Sequence, residues 1–299
     1  MRSETSTKMF LLTVDVEGMP MKDSSWDYST VLEGVPLLLD IFDEFGIRST
    51  FFVSSDVAAN VTDTMNEVIR SGHEVGCHGY NHQPLNLNDQ KQQFADLLEA
   101  TKTIQDHLNT NLVGFRAPFC RIGESTLPIL TKLGYKYDSS VVPSPKLYSR
   151  HYFPNAPHEP YTPSNSNIER KGDSAITEIP ISTLPIFGLP LGLSYCMLFG
   201  LKFYKSLLLH FNREIMTLYV HNYDFYSIPR EAKVSTLFKL PYLRGKEQKI
   251  RLFRELLEFL KEKFSLTFLP AKEALTQVPC NALGVSSQEI RNVKDSLRI

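Results

Sequence analysis

The sequence has no excess of either charge: 32 Lys and Arg stand against 33 Asp and Glu, a formal net charge of −1. It lacks the basic surplus that follows a phosphate backbone, so no nucleic-acid partner is expected. It also lacks the acidic bias of a disordered chain. Cysteine is scarce. Cys77, Cys120, Cys196 and Cys280 are scattered without paired spacing. That excludes a disulfide framework and a Cys-rich zinc site, and it fits a reducing compartment. Long apolar runs are missing too. The run at residues 9–14 is too short for the core of a signal peptide and is cut off by Asp15 and Glu17, so a cytoplasmic protein is expected. The uncharged stretch 179–201 has the length of a membrane span, but Pro180, Pro185 and Pro190 interrupt it. Its first part reads as strand and loop. Its second part, continued through Phe211, reads as an apolar helix. We expect residues 179–211 in the core, with peripheral contact at the inner face of a membrane as the alternative.

What is present is a repeated alternation of short apolar runs and longer helical patterns in 299 residues, enough for one large domain or two small ones. Strand candidates are 9–14, 47–53, 74–77, 112–115, 135–137, 176–179, 216–220 and 266–268. Helical spacing marks 31–45, 59–71, 88–108 and 247–264. Such alternation argues for an α/β fold with a parallel sheet, and the number of units favours a closed or nearly closed barrel over a doubly wound sheet. In such barrels the chemistry gathers at the C-terminal strand ends. Residues 142–174, rich in Pro, Asn, Ser and Tyr, form a long loop that is either a substrate-side flap or a surface excursion. The last residues, 281–299, read as a polar tail.

Five stretches could carry chemistry. Asp15 and Glu17 follow the first apolar run and share a face of the strand. Two carboxylates there need a cation or hydrogen bonds, unless the strand has simply ended in water. His78 and His82 lie four apart, so one helical turn would put both on one side. Two imidazoles with a distant carboxylate make a common zinc arrangement. Surface histidines are the bland alternative, but His73, His78 and His82 make three within ten residues, of eight in the chain. Arg116 closes another apolar run and would pair with a carboxylate, Asp15 or its neighbour. Asp138 and His221 each end a further run; taken alone, a histidine in that place is more often structural than catalytic.

In this order the five pieces resemble the polysaccharide deacetylases, the NodB-homology or carbohydrate esterase 4 family. Its motifs are a Thr-x-Asp-Asp strand end, His-x-x-x-His, Arg-x-Pro-Phe/Tyr, an Asp-bearing strand end and Leu-x-x-His. Here they read Thr13-Val14-Asp15-Val16-Glu17, His78 to His82, Arg116-Ala117-Pro118-Phe119, Tyr137-Asp138, and Leu218 to His221. The first motif departs from the commonest form and resembles a branch with Asp-x-Asp or Asp-x-Glu, which puts the metal carboxylate at Glu17. The resemblance implies a distorted (β/α) barrel, seven-stranded, incompletely closed and TIM-barrel-like, as a catalytic domain over residues 8–275. It implies one divalent metal, Zn2+ first and Co2+, Ni2+ or Mn2+ as alternatives, held by Glu17, His78 and His82. Asp15 would be the base, oriented by Arg116. His221 would be the acid, oriented by Asp138. Phe119, through its backbone N–H, and Tyr80 would meet the oxyanion or substrate. The implied reaction is N-deacetylation of an amino-sugar glycan, or of a lipid- or nucleotide-linked glycan precursor. Hydrolysis of small cyclic amides or ureides on the same fold and non-catalytic glycan binding are the rivals.

Overall fold

The computed structural model describes residues 8–277. The tail expected at 281–299, and Cys280, lie outside the described residues. Seven parallel strands follow one another around a curled sheet: β1 (Lys8–Val16), β2 (Thr50–Val53), β3 (Glu74–Cys77), β4 (Gly114–Phe115), β5 (Tyr137–Asp138), β6 (Thr177–Glu178) and β7 (Ile215–His221). The order across the sheet is β6-β5-β4-β3-β2-β1-β7, and β8 (Leu266–Phe268) also pairs with β1, in parallel. Between β6 and β7 no continuous ladder forms. Ser182 N–H donates to the Thr217 carbonyl at 3.1 Å, and a single bridge joins Gly192 to Tyr219. The fold is thus a distorted, incompletely closed (β/α) barrel.

β1, flanked by β2 and β7, is apolar on both faces, as parallel strands under two layers must be. Phe10, Leu11, Leu12 and Val14 are fully buried. Helix α1 (Ser29–Phe45) buries Val31, Val35, Leu38, Ile41 and Phe42, a stripe at helical spacing, and ends at Gly46, whose left-handed φ of 62° caps it. Helices α2 (Gln90–Leu108), α3 (Leu193–Phe199), α4 (Leu201–Leu208) and α5 (Lys246–Lys263) complete most of the outer layer.

Three segments differ from the sequence expectation. The helix anticipated at 59–71 is two, Ser55–Asn60 and Thr62–Arg70, interrupted at Val61 with φ −133° and ψ 43°. The apolar helix up to 211 is likewise α3 and α4, parted at Gly200 with φ 89°. The loop at 142–174 is not structureless: Pro163–Ser164 pairs antiparallel with Asn167–Lys171. Among the described residues, no helix is long and apolar enough to cross a membrane.

Candidate active site

The carboxyl ends of β1, β3, β4 and β7 converge on one cavity of about 560 Å³. Asp15, Glu17, His78, His82, Phe119 and His221 line it. The parallel register sets Asp15 beside His221 across the β1–β7 ladder, and the β1–β2–β3 ladder places Val16 and Cys77 at the same level, opposite Val53. The strands therefore fix the height of each group before any side chain is considered.

Arg116 is fully buried and spends its donors on the site. Nη1 donates to Asp15 Oδ1 at 2.8 Å and to Thr13 Oγ1 at 2.7 Å. Nε donates to the Ser139 carbonyl and Nη2 to Ser139 Oγ, both at 2.8 Å. The guanidinium also lies 4.4 Å from the Phe52 ring centroid. Burial by itself would raise the Asp15 pKa. The charges of Arg116, His78 and His221 outweigh that and hold Asp15 below the ordinary 3.8. It is an ionised, oriented base candidate.

Glu17, His78 and His82 each offer a donor atom, and these atoms lie within 4.8 Å of one another. Burial opposes ionisation of Glu17, but His82, His221 and His78 bring its pKa down to about 2. Its Oε2 is buried against His82 Nε2, and the Tyr223 hydroxyl also interacts with the carboxylate. His78 Nδ1 is 2.8 Å from the Arg116 carbonyl, which accepts its proton and leaves Nε2 with a lone pair facing the cavity. Burial, the largest effect, pushes His78 down to about 4, so it is neutral at pH 7. A buried, ionised carboxylate beside two imidazoles, one with its tautomer fixed for ligation, fits a divalent ion. The two histidines do not share a helix, as their spacing suggested. The chain turns at Asn81 and His82, both left-handed at φ 44° and 49°. Such backbone, uncommon outside glycine, brings His82 back over Glu17.

His221 has a different partner from the one expected. Asp138 accepts from Ser140 Oγ at 2.5 Å and faces the buried Glu178. The carboxylate at His221 is Asp224: its Oδ1 is 3.5 Å from Nδ1, its Oδ2 accepts the His221 N–H at 2.9 Å, and Tyr242 donates to Oδ1 at 3.2 Å. Burial favours neutral His221, yet Asp224, Glu17 and Asp15 together raise it to about 9. The ring stacks on Tyr223 at 4.7 Å. Tyr80, expected near the substrate, does not line the cavity; it packs against the hydrophobic core. Phe119 does line it, at a left-handed φ of 58° with its ring 4.7 Å from His82.

Asn222 was not singled out in the sequence. Its side chain accepts from the Glu17 N–H at 3.0 Å and donates to the Glu17 carbonyl at 3.2 Å and to Thr30 Oγ1 at 3.1 Å. It clamps the ligand-bearing end of β1 to α1. The signal was a run of polar residues after an apolar strand: Asn222 and Asp224 are both fully buried.

Residues 2–137 match the family model described as polysaccharide deacetylase. The peptidoglycan deacetylase of Helicobacter pylori is 31% identical over 109 residues, covering 36% of this chain and 37% of that protein. The matched stretch thus spans little more than a third of that relative's length. Among solved structures, one from Mycobacterium smegmatis, provisionally described as a polysaccharide deacetylase, has a TM-score of 0.59 at 20% identity and covers 95% of this chain and 94% of its own. Puue allantoinase has a TM-score of 0.57 at 14% identity, with coverage of 91% and 90%. Residues 2–137, a little under half of the chain, thus resemble the polysaccharide deacetylases, and Asp15, Glu17, His78 and His82 within that stretch line one cavity at the strand ends.

Proposed function

We propose that the chain is a metal-dependent amide hydrolase that removes an N-acyl group, acetyl foremost, from an amino sugar within a glycan or glycan precursor. The observation that carries the reading is the cavity itself. It holds an ion-ready Glu17–His78–His82 cluster between a carboxylate kept ionised by Arg116 and an imidazole kept protonated by Asp224. A divalent ion in that cluster, zinc or alternatively cobalt, nickel or manganese, would polarise the amide carbonyl and acidify the attacking water. Asp15 takes a proton from that water as its oxygen bonds to the carbonyl carbon. Arg116 holds the carboxylate aimed and deprotonated. His221 gives its proton to the nitrogen as the C–N bond breaks, because an amide anion is too basic to leave. The products are acetate and the free amine. Glu17 as ligand in place of a carboxylate next to Asp15 follows the Asp-x-Glu branch of the first motif.

The cavity size is that of a pocket enclosing a small ligand or the end of a chain. Tyr152, Tyr219, Tyr223 and Phe238 give it apolar faces against which a sugar ring can lie. Peptidoglycan deacetylase as the name of the H. pylori relative supports an amino-sugar substrate. The test is metal analysis combined with acetate release from N-acetylglucosamine oligomers, run beside ring-opening of hydantoin- and allantoin-like compounds. Acetate release that disappears with the metal in His78→Ala and His82→Ala is the expected result. Turnover of the cyclic ureides alone would reassign the substrate. Full metal content in both variants would overturn the ligand set.

A further inference from the structure

Exposed apolar side chains cluster beside the cavity. Ile186, Phe187, Leu198, Phe199 and Phe203 are 74, 48, 45, 45 and 39% exposed. The Phe203 ring lies 6.0 Å from Phe187 and 6.2 Å from Phe199. The loop before them is tied to the patch, as Tyr148 donates its hydroxyl to the Phe187 carbonyl at 3.1 Å, and it carries Leu147, 87% exposed. The opposite sides of α3 and α4 are already apolar and buried, through Leu193, Met197, Tyr204 and Leu208. These helices carry more apolar surface than the core consumes.

The segments that carry the patch bear cations only, although Glu159 neighbours Arg213 and Glu262 neighbours Lys205. Residues 139–158 and 179–213, which build this side of the molecule, contain Lys146, Arg150, Lys202, Lys205 and Arg213 but no Asp or Glu. In a chain whose charges otherwise balance, that is a local cationic excess, and Lys146, Arg150 and Lys202 are exposed. The patch is also continuous with the cavity rim: Tyr152, which lines the cavity, lies 3.3 Å, hydroxyl to hydroxyl, from Tyr195 on α3. Aromatic and aliphatic side chains ringed by cations suit an anionic lipid surface, where rings sit at headgroup depth and lysine stems reach outward to phosphates. A protein partner fits less well, because lysine is depleted in protein interfaces.

We propose that this face docks on an anionic bilayer surface, with Phe187, Phe199 and Phe203 entering the headgroup region and the rim of the cavity lying alongside it. Nothing in this docking depends on the chemistry of the cavity. The experiment is co-sedimentation of the full chain with phosphatidylcholine vesicles, with and without phosphatidylglycerol, at low and high salt. Binding is expected only with phosphatidylglycerol and is expected to weaken as salt is added. Lys146→Glu with Lys202→Glu should reduce it on the order of tenfold or more. Phe187→Ser with Phe199→Ser and Phe203→Ser should reduce it at least as far, and both variants should keep the parent circular dichroism and melting temperature. Because the charge variant touches no packed side chain, it tests the face even if the aromatic variant is destabilised. Absence of binding to phosphatidylglycerol vesicles at low salt would overturn the proposal. So would equal binding by the charge variant, or a dimer of the parent chain that the aromatic substitutions dissociate.

Discussion

Asp224 presents one oxygen to the His221 ring and the other to the His221 backbone, so the strand end and its side chain are held together. This carboxylate is the leading reason that His221 stays protonated up to about 9 against the cost of burial. A proton donor of that kind makes kcat/KM fall as pH rises through its pKa. Asp224→Asn is expected to move that descending limb to lower pH by about one unit, read from the pH profile of acetate release; an unmoved limb would remove Asp224 from the mechanism. Asp15→Asn is expected to retain the metal and lose turnover by about 10²–10⁴-fold. A near-normal rate there would exclude Asp15 as the base. Asp15, Glu17, His78, His82, Arg116 and His221 were legible in the sequence because each follows or interrupts an apolar run that a barrel must place at its carboxyl end. Asp224 was not, because its contact depends on the tight turn after β7, which has no periodicity to read. Asp138 stood at a strand end as expected, but its nearest neighbours come from β6 and the loop after β5.

Two elements meet closely where α1 crosses the end of β7. A Cβ on Gly34 would lie 2.0 Å from the Asn222 carbonyl, which is main chain and cannot swing aside. Gly34→Ala is expected to cost about 1–3 kcal/mol by denaturant unfolding. It should also lower metal affinity, because the displaced residue is the clamp on Glu17. At the ends of β5 and β6, Asp138 and Glu178 face one another in full burial. Burial raises both, Asp138 from 3.8 to about 6 and Glu178 well above the carboxylate range; the hydrogen bond between them favours ionised Asp138, and the Asp138 charge keeps the proton on Glu178. The folded chain therefore holds protons that the unfolded chain has released. This pair's contribution to stability is present below the unfolded pKa and is lost as pH rises through the folded values. Glu178→Gln keeps a donor toward Asp138 without the charge, so its stability relative to the parent should improve as pH rises from 4 through about 6, measured as melting temperature against pH. A difference that does not change with pH would show that the pair does not titrate. The strands and long helices were legible at this scale. The breaks at Val61 and Gly200 were not, because amphipathic spacing continues across them and only backbone angles record the interruption.

For the molecule as a whole, the proposed metal cluster would link β1 to the turn after β3, so an ion that binds the folded chain alone would stabilise it. At a free ion concentration a hundredfold above Kd the gain is about 2.7 kcal/mol. Chelator treatment is expected to lower the melting temperature of the parent and leave that of His78→Ala with His82→Ala unchanged. Equal sensitivity in both would place the ion elsewhere. The barrel class was legible in the alternation of elements. The incomplete closure followed from the family resemblance rather than from the strand pattern, because the segment that spans β6 to β7, Ile181 to Gly192, is held by isolated bonds and by proline- and glycine-bearing turns.

The spacing of the site along the chain also has a consequence in time. Glu17, His78, His82, Asp15 and Arg116 all fall within the first 116 residues, whereas His221 reaches them only when β7 zips onto β1 from 206 positions away in register. Long loops close late. During refolding, ion capture, followed with a metal-sensitive dye, is expected to precede the return of acetate release. A half-assembled barrel would then hold its ion before it can turn over, and the ion would help to recruit the strand that completes it.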